Sequence, residues 1–91
     1  MKSRAHLIIK GYVQSVGFRW FVRDIALSLR LTGWVRNLPD RSVEAVFEGE
    51  RETIEAAIEQ CARGPSSAVV SGIDAGWDEL PEDLAEFNIK Y

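Results

Sequence analysis

The sequence predicts an α+β domain in which two helices cover one face of a single antiparallel sheet. Two segments repeat apolar residues at helical spacing, and five shorter segments are either β-branched or alternate apolar with polar residues. The chain has 91 residues, of which 46% are hydrophobic and 27% are charged. We expect a chain of this length and composition to form one soluble domain, from residue 1 to residue 91.

The first half of the chain is predicted to form a strand, a helix and a second strand. Residues 7–13 are short, apolar and β-branched, which favours a buried strand. Residues 32–38 return to strand character, and Pro39 with Asp40 marks a turn. Between the strands, a helix is predicted by one apolar stripe, formed by Phe18, Phe21, Val22, Ile25, Ala26 and Leu29.

The second half is predicted to form a strand, a helix and two more strands. Val43, Ala45 and Phe47 alternate with Glu44 and Glu48, so this strand has one buried face. Residues 63–65, Arg-Gly-Pro, end a second helix. Residues 68–71 and, after a loop at Pro81, residues 86–91 complete the set. The inner face of the second helix is formed by Ile54, Ala57, Ile58 and Cys61.

This order of elements is the ferredoxin-like split β-α-β arrangement with one extra terminal strand. It serves many unrelated functions and therefore does not select one. The function has to be inferred from particular residues.

Composition excludes several classes of protein. The net charge of −3 argues against nucleic acid as a partner. No apolar run has the length of a secretory signal or a membrane span, so we expect a cytoplasmic protein that does not enter a membrane. Cys61 and His6 are the only residues of their types, which argues against a disulfide or a Cys/His metal site. Cys61 is interpreted as a core residue.

Other clusters are interpreted as structural. We expect the tryptophans, Trp20, Trp34 and Trp77, to belong to the core rather than to a stacking platform. An acidic cluster comprises Glu48, Glu50, Glu52 and Glu55. It is interpreted as a solvated helix face whose negative charge also suits the positive end of the second helix.

A candidate anion site lies where the first strand leads into the first helix. Backbone N–H groups of residues 14–19 and the positive end of the helix would together form a cradle for an anion. Gly17 allows the backbone to bend, and Arg19 offers a planar fork that matches two phosphate oxygens. Both strands of a β-α-β unit run in the same direction, so Asn37, at the end of the second strand, should lie beside this loop.

Four segments together resemble the acylphosphatase family across nearly the whole chain. They are Gly11-x-Val13-Gln14-x-Val16-Gly17-Phe18-Arg19, Gly33-Trp34-Val35-Arg36-Asn37, Val43-Glu44-Ala45 and Gly64-Pro65. The resemblance implies a ferredoxin-like fold and hydrolysis of the carboxyl–phosphate anhydride of small-molecule acyl phosphates, with neither cofactor nor metal. It also implies that Arg19 binds the phosphate and that Asn37 orients the attacking water. The phosphate-binding loop would comprise Gln14, Ser15, Val16, Gly17, Phe18 and Arg19.

Three positions depart from the family pattern. Ser15 and Arg30 stand where many relatives have glycine, and residues 39–42 replace a tighter turn. Ser15 loses some freedom at positive φ but keeps its N–H group. The changes at Arg30 and at residues 39–42 are expected to affect local conformation rather than chemistry.

The enzyme is expected to be a monomer, and two other functional classes are the alternatives to it. A non-catalytic module that binds an anion or a protein would keep Arg19 but would have no use for an asparagine that holds water. An RNA-binding domain of the same strand order needs exposed aromatic residues in a basic surround, and the strand from Val43 to Glu48 offers neither.

Overall fold

The computed structural model describes residues 2–78 and 82–91, which form five strands and two helices. In chain order these are β1 (Lys2–Tyr12), α1 (Phe18–Ser28), β2 (Thr32–Asn37), β3 (Val43–Glu50), α2 (Arg51–Arg63), β4 (Val69–Asp78) and β5 (Phe87–Ile89). The predicted order of elements and the α+β class are confirmed. The loop predicted at Pro81 lies outside the described residues.

The sheet has the strand order β4-β1-β3-β2-β5. Its first four strands are antiparallel to their neighbours, as predicted. β5 instead pairs in parallel with β2, so the sheet is mixed rather than wholly antiparallel. The cause is the path of the chain, because β4 and β5 lie at opposite edges of the sheet and β5 runs in the direction of β1 and β2.

One hydrophobic core lies between the sheet and the two helices. Alternate residues of the central strands and the inner stripes of both helices are fully or almost fully buried there; examples are Leu7, Ile9, Val22, Ile25, Val35, Ala45, Phe47 and Ile54. Cys61 belongs to the same cluster. Its burial raises the pKa of the thiol to about 12. The interpretation of Cys61 as a core residue is confirmed.

Two strands are longer than the sequence predicted. β1 begins at Lys2 instead of residue 7, and β4 continues to Asp78 instead of ending at residue 71. The two strands pair from Arg4 with Asp78 to Tyr12 with Val69, with one register shift after Lys10. Pairing with β1 therefore holds the polar and glycine-containing end of β4 in a strand, although its residue types do not favour one.

Glu48 was wrongly placed on a solvated face. Its side chain is fully buried, and its carboxylate accepts hydrogen bonds from the backbone N–H groups of Glu82 and Leu84, the latter at 2.9 Å. Arg4 lies 3.8 Å away. A buried carboxylate requires such partners, so Glu48 fixes the segment that precedes β5 against the sheet.

Candidate active site

Helix α1 begins with an open, positive N-terminus. Gly17 precedes the helix with φ 74° and ψ 19°, no side chain caps the helix start, and the first turn contains no acidic residue. The first N–H groups of a helix have no intrahelical acceptor, and the helix dipole is positive at this end. In contrast, the first turn of α2 contains Glu52. The start of α1 is therefore the helix end better suited to an anion.

The loop before α1 contains two residues with left-handed backbone conformation. Gly17 has φ 74° and Ser15 has φ 62°. Glycine adopts this conformation freely, whereas a residue with a side chain is strained by about 1–2 kcal/mol. The loop therefore keeps its left-handed bend at position 15 without a glycine there.

Side-chain hydrogen bonds hold this loop in place. The Nε2 atom of Gln14 donates to the backbone oxygens of Leu38 and Ser42, at 2.8 and 2.9 Å. The hydroxyl of Ser67 donates to the backbone oxygen of Val16 at 3.3 Å. The side chain of Gln14 thus stabilises the position of the loop relative to the turn between β2 and β3.

Arg19 and Asn37 line one small cavity between the loop and the end of β2. The cavity has a volume of about 190 Å³, and its walls are Val13, Ser15, Gly17, Phe18, Arg19, Trp20 and Asn37. The predicted proximity of Asn37 to the loop is therefore seen in the structure. Gln14 and Val16 do not line the cavity. The side chain of Val16 packs against the core, so only its backbone is available to a ligand.

The segment after β5 contacts Arg19. The guanidinium donates a hydrogen bond of 3.3 Å to the backbone oxygen of Lys90, and its central carbon lies 4.7 Å from the centroid of the Tyr91 ring. Sequence reasoning missed this contact. It follows from the parallel pairing of β5 with β2, because both strands then end at the edge of the sheet where the loop lies.

Trp20 was also missed as a site residue and was wrongly assigned to the core. It lines the cavity, and 53% of its surface is exposed. The sequence did indicate that Trp20 is exposed, since Trp20 lies outside the apolar stripe of the helix that begins at Phe18. Trp34, for its part, lies half-buried beneath the charged groups of Arg36 and Lys90.

His6 lies in β1, with its ring Nε2 2.6 Å from a carboxylate oxygen of Glu44. Arg36 bonds the other oxygen of the same carboxylate. Burial raises the pKa of Glu44, but the hydrogen bonds from His6 and Arg36 outweigh that effect and leave it below the usual value. Within residues 2–78 and 82–91, no group of three or more His, Cys, Asp or Glu side chains is arranged to hold a metal ion.

Comparison with known proteins identifies the family. A sequence model described as acylphosphatase matches residues 5–89. The chain belongs to the acylphosphatase family. An acylphosphatase of Nostoc sp. is 51% identical over 87 residues, which cover 96% of this chain and 85% of the relative.

Solved structures agree with the family assignment. An acylphosphatase from Bacillus subtilis superposes with a TM-score of 0.96 at 32% identity, and the match covers 98% of this chain and 99% of that one. The chain also matches full-length HypF with a TM-score of 0.88 at 31% identity, where it covers only 12% of the larger protein.

These relatives confirm the ferredoxin-like fold and the predicted enzyme class. As a member of this family, the chain is a hydrolase that acts on acyl phosphates. The non-catalytic alternative has no support among them. In the described part of the chain, no helix has the length and apolar character needed to cross a membrane.

Proposed function

We propose that the hydrolysis of acyl phosphates takes place in the cavity lined by Arg19 and Asn37. The phosphoryl group would lie against the backbone N–H groups of residues 14–19, with Arg19 on its oxygens and Asn37 on the attacking water. One observation carries this proposal. A fork-shaped cation and a neutral carboxamide line the same small cavity, next to a helix N-terminus that no side chain caps.

Arg19 supplies charge where phosphoryl transfer needs it. Phosphoryl transfer depends mainly on positioning and on stabilising negative charge at the equatorial oxygens of the phosphoryl group. A guanidinium has five N–H donors, and the bond to Lys90 uses one of them. Enough donors remain for a two-pronged contact with the phosphate. Lys90 and Tyr91 then act on the reaction only by fixing the position of Arg19.

Asn37 supplies a polar contact without acting as a base. Its carboxamide is proposed to hold a water molecule in line with the phosphorus–oxygen bond that breaks. The water oxygen bonds to phosphorus, and the carboxylate leaves with the electron pair of that bond. The proton of the water passes to a phosphoryl oxygen of the substrate, because an amide is too weak a base to accept it. The products are a carboxylate and inorganic phosphate.

This mechanism predicts selectivity for the leaving group. A carboxylate leaves as a stable anion and needs no general acid, whereas the alkoxide of a phosphate monoester does. Among the described residues that line the cavity, none can act as a general acid, since Arg19 keeps its charge. Acetyl phosphate should therefore be hydrolysed while an alkyl phosphate monoester is left essentially untouched.

The assay compares acetyl phosphate with an alkyl phosphate monoester, each with and without exhaustive chelation. Turnover of acetyl phosphate that survives chelation supports the proposal. Comparable turnover of the monoester would overturn the leaving-group argument. Activity that is lost on chelation and restored by a divalent metal would overturn the metal-independent mechanism.

We also propose that the enzyme works as a single-domain monomer in the cytoplasm on free small-molecule substrates, without nucleic acid as a partner. The lone buried cysteine and the net charge of −3 support this view. Size-exclusion chromatography with light scattering at micromolar concentration would test the monomer directly.

A further inference from the structure

The cavity is too small to enclose a phosphoryl group, a water molecule and a large acyl group together. Its volume is about 190 Å³, whereas sites that enclose a drug-sized ligand measure about 300–1,000 Å³. A phosphoryl group beside Arg19 and a water beside Asn37 would take up much of this space. The acyl group must then extend to the mouth of the cavity, where it meets the residues at the rim.

Among the described residues that line the cavity, Trp20 offers an exposed aromatic surface. It lines the cavity, yet 53% of its surface is exposed, so the side chain belongs both to the wall and to the outside. Phe18, the other aromatic residue of the cavity wall, is 1% exposed and belongs to the core. An acyl group that leaves the cavity can therefore pack against Trp20 but gains little contact with Phe18.

Arg23 contacts one face of the Trp20 ring. The two residues are three positions apart on α1 and lie side by side on the helix surface. The central carbon of the Arg23 guanidinium lies 5.6 Å from the centroid of the Trp20 ring, a cation–π distance. One face of the ring is thus occupied by the cation, which leaves the opposite face for a ligand.

A second groove shares Val13 and Ser15 with the cavity but is a poorer place for the acyl group. It has a volume of about 400 Å³ and is lined in part by Tyr12 and Arg41. Tyr12 is 63% exposed. However, neither Arg19 nor Asn37 lines this groove. The acyl carbon is joined to the phosphorus through one oxygen, so the acyl group has to stay close to the wall that holds the phosphate.

We propose that Trp20 binds the acyl group of the substrate and gives the enzyme a preference for planar aromatic acyl groups over small aliphatic ones. The proposal rests on the proposed function, because it takes the phosphoryl group to lie beside Arg19. Trp20 takes no part in bond making or breaking. Its contribution is stacking and apolar contact, which distinguish a benzoyl from an acetyl group.

The experiment measures kcat and KM for benzoyl phosphate and for acetyl phosphate in four proteins. These are the wild type, Trp20→Ala, Trp20→Phe and the matched control Tyr12→Ala, each checked for folding by circular dichroism. The quantity compared is the ratio of kcat/KM for benzoyl phosphate to kcat/KM for acetyl phosphate. We expect Trp20→Ala to lower this ratio about 5- to 20-fold, mainly through KM for benzoyl phosphate.

The remaining variants decide between explanations. Trp20→Phe should keep the ratio within about threefold of wild type because an aromatic face remains. Tyr12→Ala should leave it unchanged. If Trp20→Ala leaves the ratio unchanged, for example by losing activity equally on both substrates, the proposal is overturned. A fall in the ratio in Tyr12→Ala instead of Trp20→Ala would also overturn it. Failure of the wild type to hydrolyse either substrate would overturn the proposed function itself, and the role of Trp20 with it.

Discussion

The guanidinium of Arg19 lies 4.7 Å from the centroid of the Tyr91 ring, so the end of the described chain contacts the start of the first helix. β5 makes this contact possible because it pairs in parallel with β2 and ends beside the loop. Arg19 also bonds the backbone of Lys90. The short fifth strand, which the basic ferredoxin-like arrangement does not need, thus has a structural role at the site.

Replacing Tyr91 with alanine should weaken the site without abolishing the chemistry. An exposed cation–π contact stabilises by about 0.5–1 kcal/mol, so its loss should lower kcat/KM about two- to fivefold. Phosphate inhibition should weaken by a similar factor, since Arg19 is proposed to bind phosphate. Tyr91→Phe should retain both values, because the ring is kept and only the hydroxyl is lost. A fall in kcat/KM with unchanged phosphate inhibition would contradict the positioning role of Tyr91.

Arg30 occupies a position that favours glycine. It has φ 58° just after α1, and the hydrogen bonds Arg30 N–H to Leu27 O and Leu31 N–H to Ala26 O form the pattern that commonly ends helices with glycine. Arg30→Gly should raise the free energy of unfolding by about 1 kcal/mol, because the left-handed strain is removed. Urea denaturation measures the change.

A matched glycine substitution inside the same helix provides the control. Asp24 is exposed in α1, and Asp24→Gly should destabilise by a few tenths of a kcal/mol, up to about 0.5, because glycine is a poorer helix former. Equal destabilisation by Arg30→Gly would mean that the backbone at position 30 does not need positive φ.

Cys61 should be inert in the native protein. Burial raises the pKa of its thiol to about 12, so the thiolate, which is the reactive form, is nearly absent at pH 8. The pKa is higher in the folded than in the unfolded state, so this group contributes stability that is present below pH 9 and is lost as pH rises toward 12. A thiol reagent at pH 8 should label the protein only after denaturation.

The Cys61→Ala variant separates stability from catalysis. It should lower the free energy of unfolding by about 1 kcal/mol or more, since it removes a fully buried atom from the core. Turnover per folded molecule should stay near the wild-type value. A variant of normal stability that has lost its activity would show that Cys61 takes part in the reaction.

The sequence predicted those features that depend on local periodicity. The apolar stripe that begins at Phe18 defined α1, and the alternation of Val43, Ala45 and Phe47 defined the buried face of β3. The proximity of Arg19 and Asn37 was also predictable, because the topology makes β1 and β2 end at the same edge of the sheet.

Features that depend on distant pairing were not predictable in the same way. The part of β4 beyond residue 71 contains Gly72, Asp74 and Gly76, residue types typical of a loop, and it forms a strand because it pairs with β1. Glutamate is usually a surface residue, but the carboxylate of Glu48 is buried where it accepts hydrogen bonds from the backbone N–H groups of Glu82 and Leu84. Such partners come from remote parts of the chain, so local patterns carry no trace of them.

Arg19 and Asn37 are proposed to have different roles in the reaction. Arg19 is proposed to contact the phosphate, and Asn37 is proposed to contact only the water. Arg19→Ala should therefore weaken inhibition by inorganic phosphate and reduce kcat. Arg19→Lys should not restore either value, because a point charge lacks the two-pronged fork. Asn88→Ala, which alters an exposed asparagine of β5, is the control for loss of an amide.

The most direct test is the measurement of kcat and the phosphate inhibition constant for Asn37→Ala, after its folding has been checked. The water-orienting role of Asn37 predicts a phosphate inhibition constant close to that of the wild type. It also predicts a kcat about 10²- to 10³-fold lower, the usual effect of losing one preorganised polar group. Wild-type kcat in Asn37→Ala would contradict the water-orienting role, and Asn37 would then be a structural residue at the end of β2.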